Sequence, residues 1–204
     1  MDELDLLKRN WNKKSENEPI LTYAEIYKLI KSKSSNIVKW IYYISLFELF
    51  LGFALIVINP KIETKFTYPL WLDASLYFTI PVILFFIFRF YKSYKTIKAT
   101  DTVKNLIKTI LNTRQIVRYY ILFNLIYVGI YSSFALFYAY VETSGGLKKF
   151  NELAHFKEYL ILFLIIIVFS TIMIGIVYFI YFLLYGILLK KLQKNYNELK
   201  KLEM

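Results

Sequence analysis

Long apolar runs alternate with basic polar ones along this chain, and four of the runs read as helices that cross a bilayer. A hydrocarbon core of about 30 Å needs about 20 helical residues. The candidate spans are residues 37–58, 74–90, 119–141 and 159–189. The second is short and contains Pro81, which reads as a tolerated kink rather than a gate. The fourth is too long for an upright span, so it must tilt or protrude. "LKKLQKNYNELKKLEM" follows it without a helix breaker, which predicts one helix running on out of the membrane. The expected fold class is an all-α membrane protein with four transmembrane helices.

The polar segments also carry helical spacing. Within the N-terminal segment, 1–36, Leu4, Leu7 and Trp11 form one apolar edge. Thr22 and Glu25 then read as a capping box, followed by Tyr23, Ile26, Tyr27 and Ile30 on one face. A loop helix at about 100–117 carries the stripe Val103, Leu106, Ile107, Ile110, Leu111 and Val117. The C-terminal helix, 190–204, continues a short three-four seam of Leu189, Leu192, Tyr196 and Leu199. Such stripes either lie on anionic lipid or pack on one another as a helical layer beneath the membrane. Leu4, Leu7 and Trp11 have a further use as an anchor for a cytosolic protein, against the plainer reading of a solvated tail. Of the remaining loops, one carries Tyr68 and Trp71 at interfacial positions. The other opens on a Gly-Gly turn and has room for one short helix.

Charge orients this pattern. Eight Lys and Arg precede the first span, counting Lys39 at its edge, eight run from Arg89 at the end of the second to Arg118 before the third, and five follow the fourth; the two other loops hold two and three. The positive-inside rule places both termini and the middle loop in the cytoplasm. Topology therefore accounts for the net charge of +11, and no recognition fold for nucleic acid fits the polar pieces. A hydrophobic fraction of 57% and a mean hydropathy of +0.44 agree with a membrane chain. The start, "MDELDLLKRNW", lacks the apolar core of a cleaved signal peptide. With no cysteine, thiolate chemistry and disulfides are excluded. P-loop, dinucleotide, zincin and nucleophile-elbow motifs are absent, so no catalytic residue, cofactor or metal is assigned and an enzyme is not expected. The single histidine, His155, has Glu152 and Glu158 nearby, which makes a weak zinc site at best.

One acid sits deep in the first span, in "SLFELFLGF". An ionisable group within a membrane is a functional-site hypothesis by default. Counted from Lys39, Glu48 falls near mid-bilayer, on a face with Ser45 and Gly52. Small and polar residues on one face mark contact with another helix. Asn124 and Ser132 of span three, and Ser170 and Thr171 of span four, could converge on Glu48 as an intramembrane polar cluster. No second deep acid, histidine or lysine accompanies it, so interhelical glue is favoured over a proton or ion path.

The stretches "MDELDLLKRNWNK" and "YAEIYKLIKSKSSNIVKWI" resemble the start of an uncharacterised bacterial family of small four-span inner-membrane proteins, most clearly over residues 1–41. Some members carry a carotenoid-oxygenase label, which implies four iron-binding histidines; this chain has one, and the label is rejected. The resemblance implies a bacterial inner-membrane setting. The expected function is a non-enzymatic scaffold or regulator, presenting cytoplasmic helices to a protein partner or to a second copy, with membrane lipid around it. A small transporter or channel subunit centred on Glu48 is the alternative.

Overall fold

A computed structural model describes residues 22–58, 68–100, 102–153 and 155–203. Leu4, Leu7 and Trp11 lie outside the described residues. Every regular element among those described is helical: α1 (Tyr23–Ile58), α2 (Leu70–Ala99), α3 (Val103–Thr143), α4 (Leu147–Leu153), α5 (Phe156–Tyr181) and α6 (Ile187–Glu203). A single π turn, Phe182–Gly186, joins α5 to α6.

The rods are longer than the apolar runs because nothing breaks them where polarity changes. α1 crosses the expected boundary at 36/37 without interruption. It starts where Glu25 accepts a hydrogen bond of 2.8 Å from the Thr22 amide, one half of the expected capping box. The other half differs: the Thr22 carbonyl, not its hydroxyl, accepts the Glu25 amide at 2.9 Å. α2 begins after Pro69 and continues through Pro81. α3 unites the loop helix with the third span, capped by Thr102, whose hydroxyl accepts from the Asn105 amide at 3.4 Å. It ends in a Schellman motif. Gly145 and Gly146 take φ of 90° and 93°, which needs glycine. Their amides bond Glu142 and Val141 carbonyls at 3.0 and 3.1 Å. The Gly-Gly turn leads directly into α4.

Each of α1, α2, α3 and the α5–α6 rod is long and apolar enough to cross a membrane. Their apolar side chains point outward over most of that length; in α5 only Leu162 and Ser170 are buried. α1 packs on α2, α2 on α3 and α3 on α5, while α6 packs on both α1 and α3.

The main core straddles the change from apolar to basic sequence. At its basic end Ile30 of α1, Ile97 of α2, Leu106 and Ile110 of α3, and Leu192 and Leu199 of α6 come together, and it runs on through Val38, Ile41, Phe90, Tyr120 and Tyr185 into the apolar spans. The polar-segment stripes therefore pack on one another, forming a four-helix stalk. The C-terminal seam is used inside the chain, with Leu192 and Leu199 both at 0% exposure. Such burial is worth roughly 2 kcal/mol per leucine, which is why the seam closes on its neighbours. A smaller core of Val141, Phe150 and Leu162 closes the opposite end. Between them, the π turn absorbs one extra residue, so Ser170 before it, Tyr185 within it and Leu192 after it all face inward.

Candidate functional site

Glu48 is brought into the bundle by α1 and meets a partner from α3. The Tyr120 hydroxyl donates to Glu48 Oε2. Tyr120 is 1% exposed and stands in an aromatic cage. Its ring centroid is 5.4 Å from Phe86, 5.7 Å from Phe90, 6.0 Å from Tyr181 and 5.9 Å from Tyr185. Several of these contacts are edge-to-face, the arrangement that ring quadrupoles favour. Two buried polar atoms of the cage make no hydrogen bond: Glu48 Oε1 and the Tyr185 hydroxyl. Tyr185 is fully buried against the ring of Tyr120, on the side of the cage supplied by the π turn.

Tyr120 stands two residues beyond Arg118 on α3, and Phe86 three before Arg89 on α2. At 1.5 Å per residue both rings are thus rooted within about 5 Å, along their own helices, of a charged residue.

The six residues expected to converge do not form one cluster. Ser45 is fully buried but bonds the Tyr42 carbonyl of its own helix at 2.8 Å. Asn124 donates to the Tyr120 carbonyl at 2.9 Å, steadying the cage helix without touching the acid. Ser132 and Ser170 meet each other at 3.3 Å, with Ser133 at 2.8 Å from Ser170, in a separate α3–α5 contact. Twelve residues of α3 separate Tyr120 from Ser132, a distance of about 18 Å along the axis. Thr171 is exposed. Gly52 meets no atom where a side chain would begin, so the small-residue face of α1 does not extend to it. Sequence reasoning missed Tyr120, Tyr181 and Tyr185, and with 19 tyrosines in the chain no local signal singles them out.

Beside the cage, a groove of about 600 Å³ opens between α1 and α2. Phe47, Phe50 and Phe53 form one wall, Thr79, Ile80 and Ile83 the other, and Glu48 is the single carboxylate of its lining. A carboxyl held by a tyrosine in apolar surroundings can join helices or hold one polar ligand group. Among the described residues no group of three His, Asp or Glu could hold a metal. Glu158 is used instead to cap α5, accepting from the His155 amide at 2.9 Å.

Residues 24–204 match a domain family of unknown function, DUF8845. The chain belongs to that family. The match takes in the Glu48 cage and the whole stalk, and leaves residues 1–23 outside it. No curated protein and no solved structure matches the chain.

Proposed function

We propose that the protein is a non-enzymatic scaffold or regulator of a bacterial inner membrane, with both termini and the loop between spans two and three in the cytoplasm. The observation that carries this reading is the placement of the core. α1, α2, α3 and α6 leave the apolar zone together as one packed stalk. A chain whose packing continues into its basic end holds a rigid shape there, and a rigid shape is what a docking platform needs. The stalk's apolar seams are occupied by each other, so a partner reads its polar surface or residues 1–21. Charge asymmetry between the loops supports the cytoplasmic side.

Partner capture tests it. Photo-cross-linking in cells should give defined adducts of the full chain, and removal of residues 1–21 should change them while leaving the stalk folded. Absence of any specific adduct in either form would remove the scaffold reading.

A transport reading keeps one observation in its favour: Glu48 Oε1 lacks a hydrogen-bond partner and its residue lines a groove. Vesicles containing the protein and a trapped pH dye separate the two. A proton flux lost in Glu48→Gln would move the protein into the transport class.

A further inference from the structure

A second cleft, of about 390 Å³, lies between α1 and α6 at the basic end. Lys33, Asn36 and Trp40 come from α1, and Lys191, Lys194 and Glu198 from α6. We propose that this cleft binds the headgroup of an acidic phospholipid in the adjoining leaflet, with its acyl chains lying along α1.

Charge is the first argument. Three lysines face one glutamate, and that glutamate is only loosely held, 4.0 Å from Lys194 Nζ. The cleft thus keeps a positive excess that suits a phosphodiester, and basic pockets between helices at this depth take acidic headgroups.

Depth is the second. Trp40 is 62% exposed and immediately follows Lys39. Lys39 Nζ lies 5.6 Å from the Tyr43 ring, and Lys190 Nζ lies 5.3 Å from the Phe182 ring. On both walls, therefore, charge meets the outward apolar surface at one level, the position a headgroup occupies and an indole prefers. Farther along α1, Tyr43, Phe47 and Phe50 are exposed and continue this surface into the groove between α1 and α2. α1 packs mainly on α2 and α6 rather than α5, so an apolar flank stays open for acyl chains above the cleft.

Rigidity is the third. Asn195 Nδ2 donates to Ser34 Oγ at 2.9 Å inside the stalk, fixing the two walls in register. The lysines are presented by a built framework rather than by two independent helices. A soluble anion would use the lysines but not the Trp40 strip, and a lipid uses both.

Brominated lipids test this directly, because bromine quenches tryptophan at contact. The full chain carrying Trp11→Phe and Trp71→Phe keeps Trp40 as its one reporter. It is reconstituted in phosphatidylcholine vesicles containing a minor fraction of brominated phosphatidylglycerol or, separately, of brominated phosphatidylcholine. Quenching by the acidic lipid should be about threefold stronger at equal mole fraction. Lys33→Gln, Lys191→Gln and Lys194→Gln together should abolish that preference. The three corresponding arginine substitutions should keep it. Lys92→Gln, Lys95→Gln and Lys98→Gln on α2 remove equal charge elsewhere and should also keep it. Lys191→Gln alone should lower it part-way, which preserves the test if the triple variant does not fold. Equal quenching by both lipids, or a preference that survives the glutamines, overturns the proposal. So does loss of the preference on adding inorganic phosphate at constant ionic strength, which would make a free anion the occupant.

Discussion

Removing the Tyr120 and Tyr185 hydroxyls from the Glu48 carboxyl should cost more than removing the carboxyl as well. Glu48 Oε2 accepts from Tyr120, while Oε1 is buried with no partner. Tyr185 supplies a second buried hydroxyl of the cage that makes no bond. Tyr120→Phe alone leaves Tyr185 able to substitute, and its cost should be about 1 kcal/mol, in line with hydrogen bonds inside membranes. Tyr120→Phe with Tyr185→Phe leaves the acid beside Phe86, Phe90, two new phenyl rings and only the Tyr181 hydroxyl, a penalty of about 2 kcal/mol for a polar group buried without its bond. Adding Glu48→Leu then removes the stranded group while nearly keeping its volume. The triple variant should recover at least about 1 kcal/mol relative to the double, since replacing both sides of a buried pair by apolar groups is nearly neutral. Reversible unfolding in mixed micelles by SDS titration, followed by circular dichroism, measures all three. A triple variant no more stable than the double would refute the cage as an energetic unit.

Three further outcomes are expected. Asn195→Leu strands the Ser34 hydroxyl in the stalk and should lower stability by about 1–2 kcal/mol, read by the same titration; no change would show that Asn195 does not fix α6. Deleting Leu183 should return the π turn to α geometry and leave α6 packed. Inserting an alanine after Leu183 should turn α6 by about 100° and expose Leu192 and Leu199; protease cleavage of the C-terminal helix distinguishes the two. The chain has no cysteine, so Lys148→Cys and Lys194→Cys can be labelled singly in intact cells: an impermeant maleimide should reach the first and not the second, and the reverse pattern would invert the topology.

The helices were legible because their signals are local. Apolar runs, the absence of breakers between Ser34 and Lys39 or after Leu189, and the Gly145–Gly146 turn each act within one or two turns of chain. Lipid and neighbouring helices both satisfy an apolar stripe, so periodicity alone left open what Leu106, Ile110, Leu192 and Leu199 would face. Contacts between helices far apart in sequence settled it. The partner of Glu48 was hidden for the same reason. Seventy-two positions separate it from Tyr120, and spacing within α1 says nothing about the height at which α3 crosses. Choosing Gly52 as the continuation of the Ser45–Glu48 face followed composition, whereas the buried face continues the opposite way.

That face explains why an acid belongs in this helix. Ser34, Val38, Ile41, Ser45 and Glu48 alternate steps of four and three along α1, the spacing that keeps one line of side chains against neighbouring helices. The first four are at 0% exposure. Both ends of the line are polar and both make a bond across helices: Ser34 to Asn195 of α6, and Glu48 to Tyr120 of α3. α1 otherwise touches α3 only slightly and packs chiefly on α2 and α6. Above Glu48 its outward residues, Phe47, Phe50 and Phe53, are exposed. The carboxyl therefore stands where α1 stops being held by the stalk's apolar core and starts to border lipid. An apolar side chain there would find lipid as favourable as Tyr120, because lipid tails and apolar helices are equivalent surroundings. A carboxyl does not, since in lipid it has no donor. Glu48 thus selects the α1–α3 crossing over separation of the two helices, at the one level where hydrophobic packing gives no such preference.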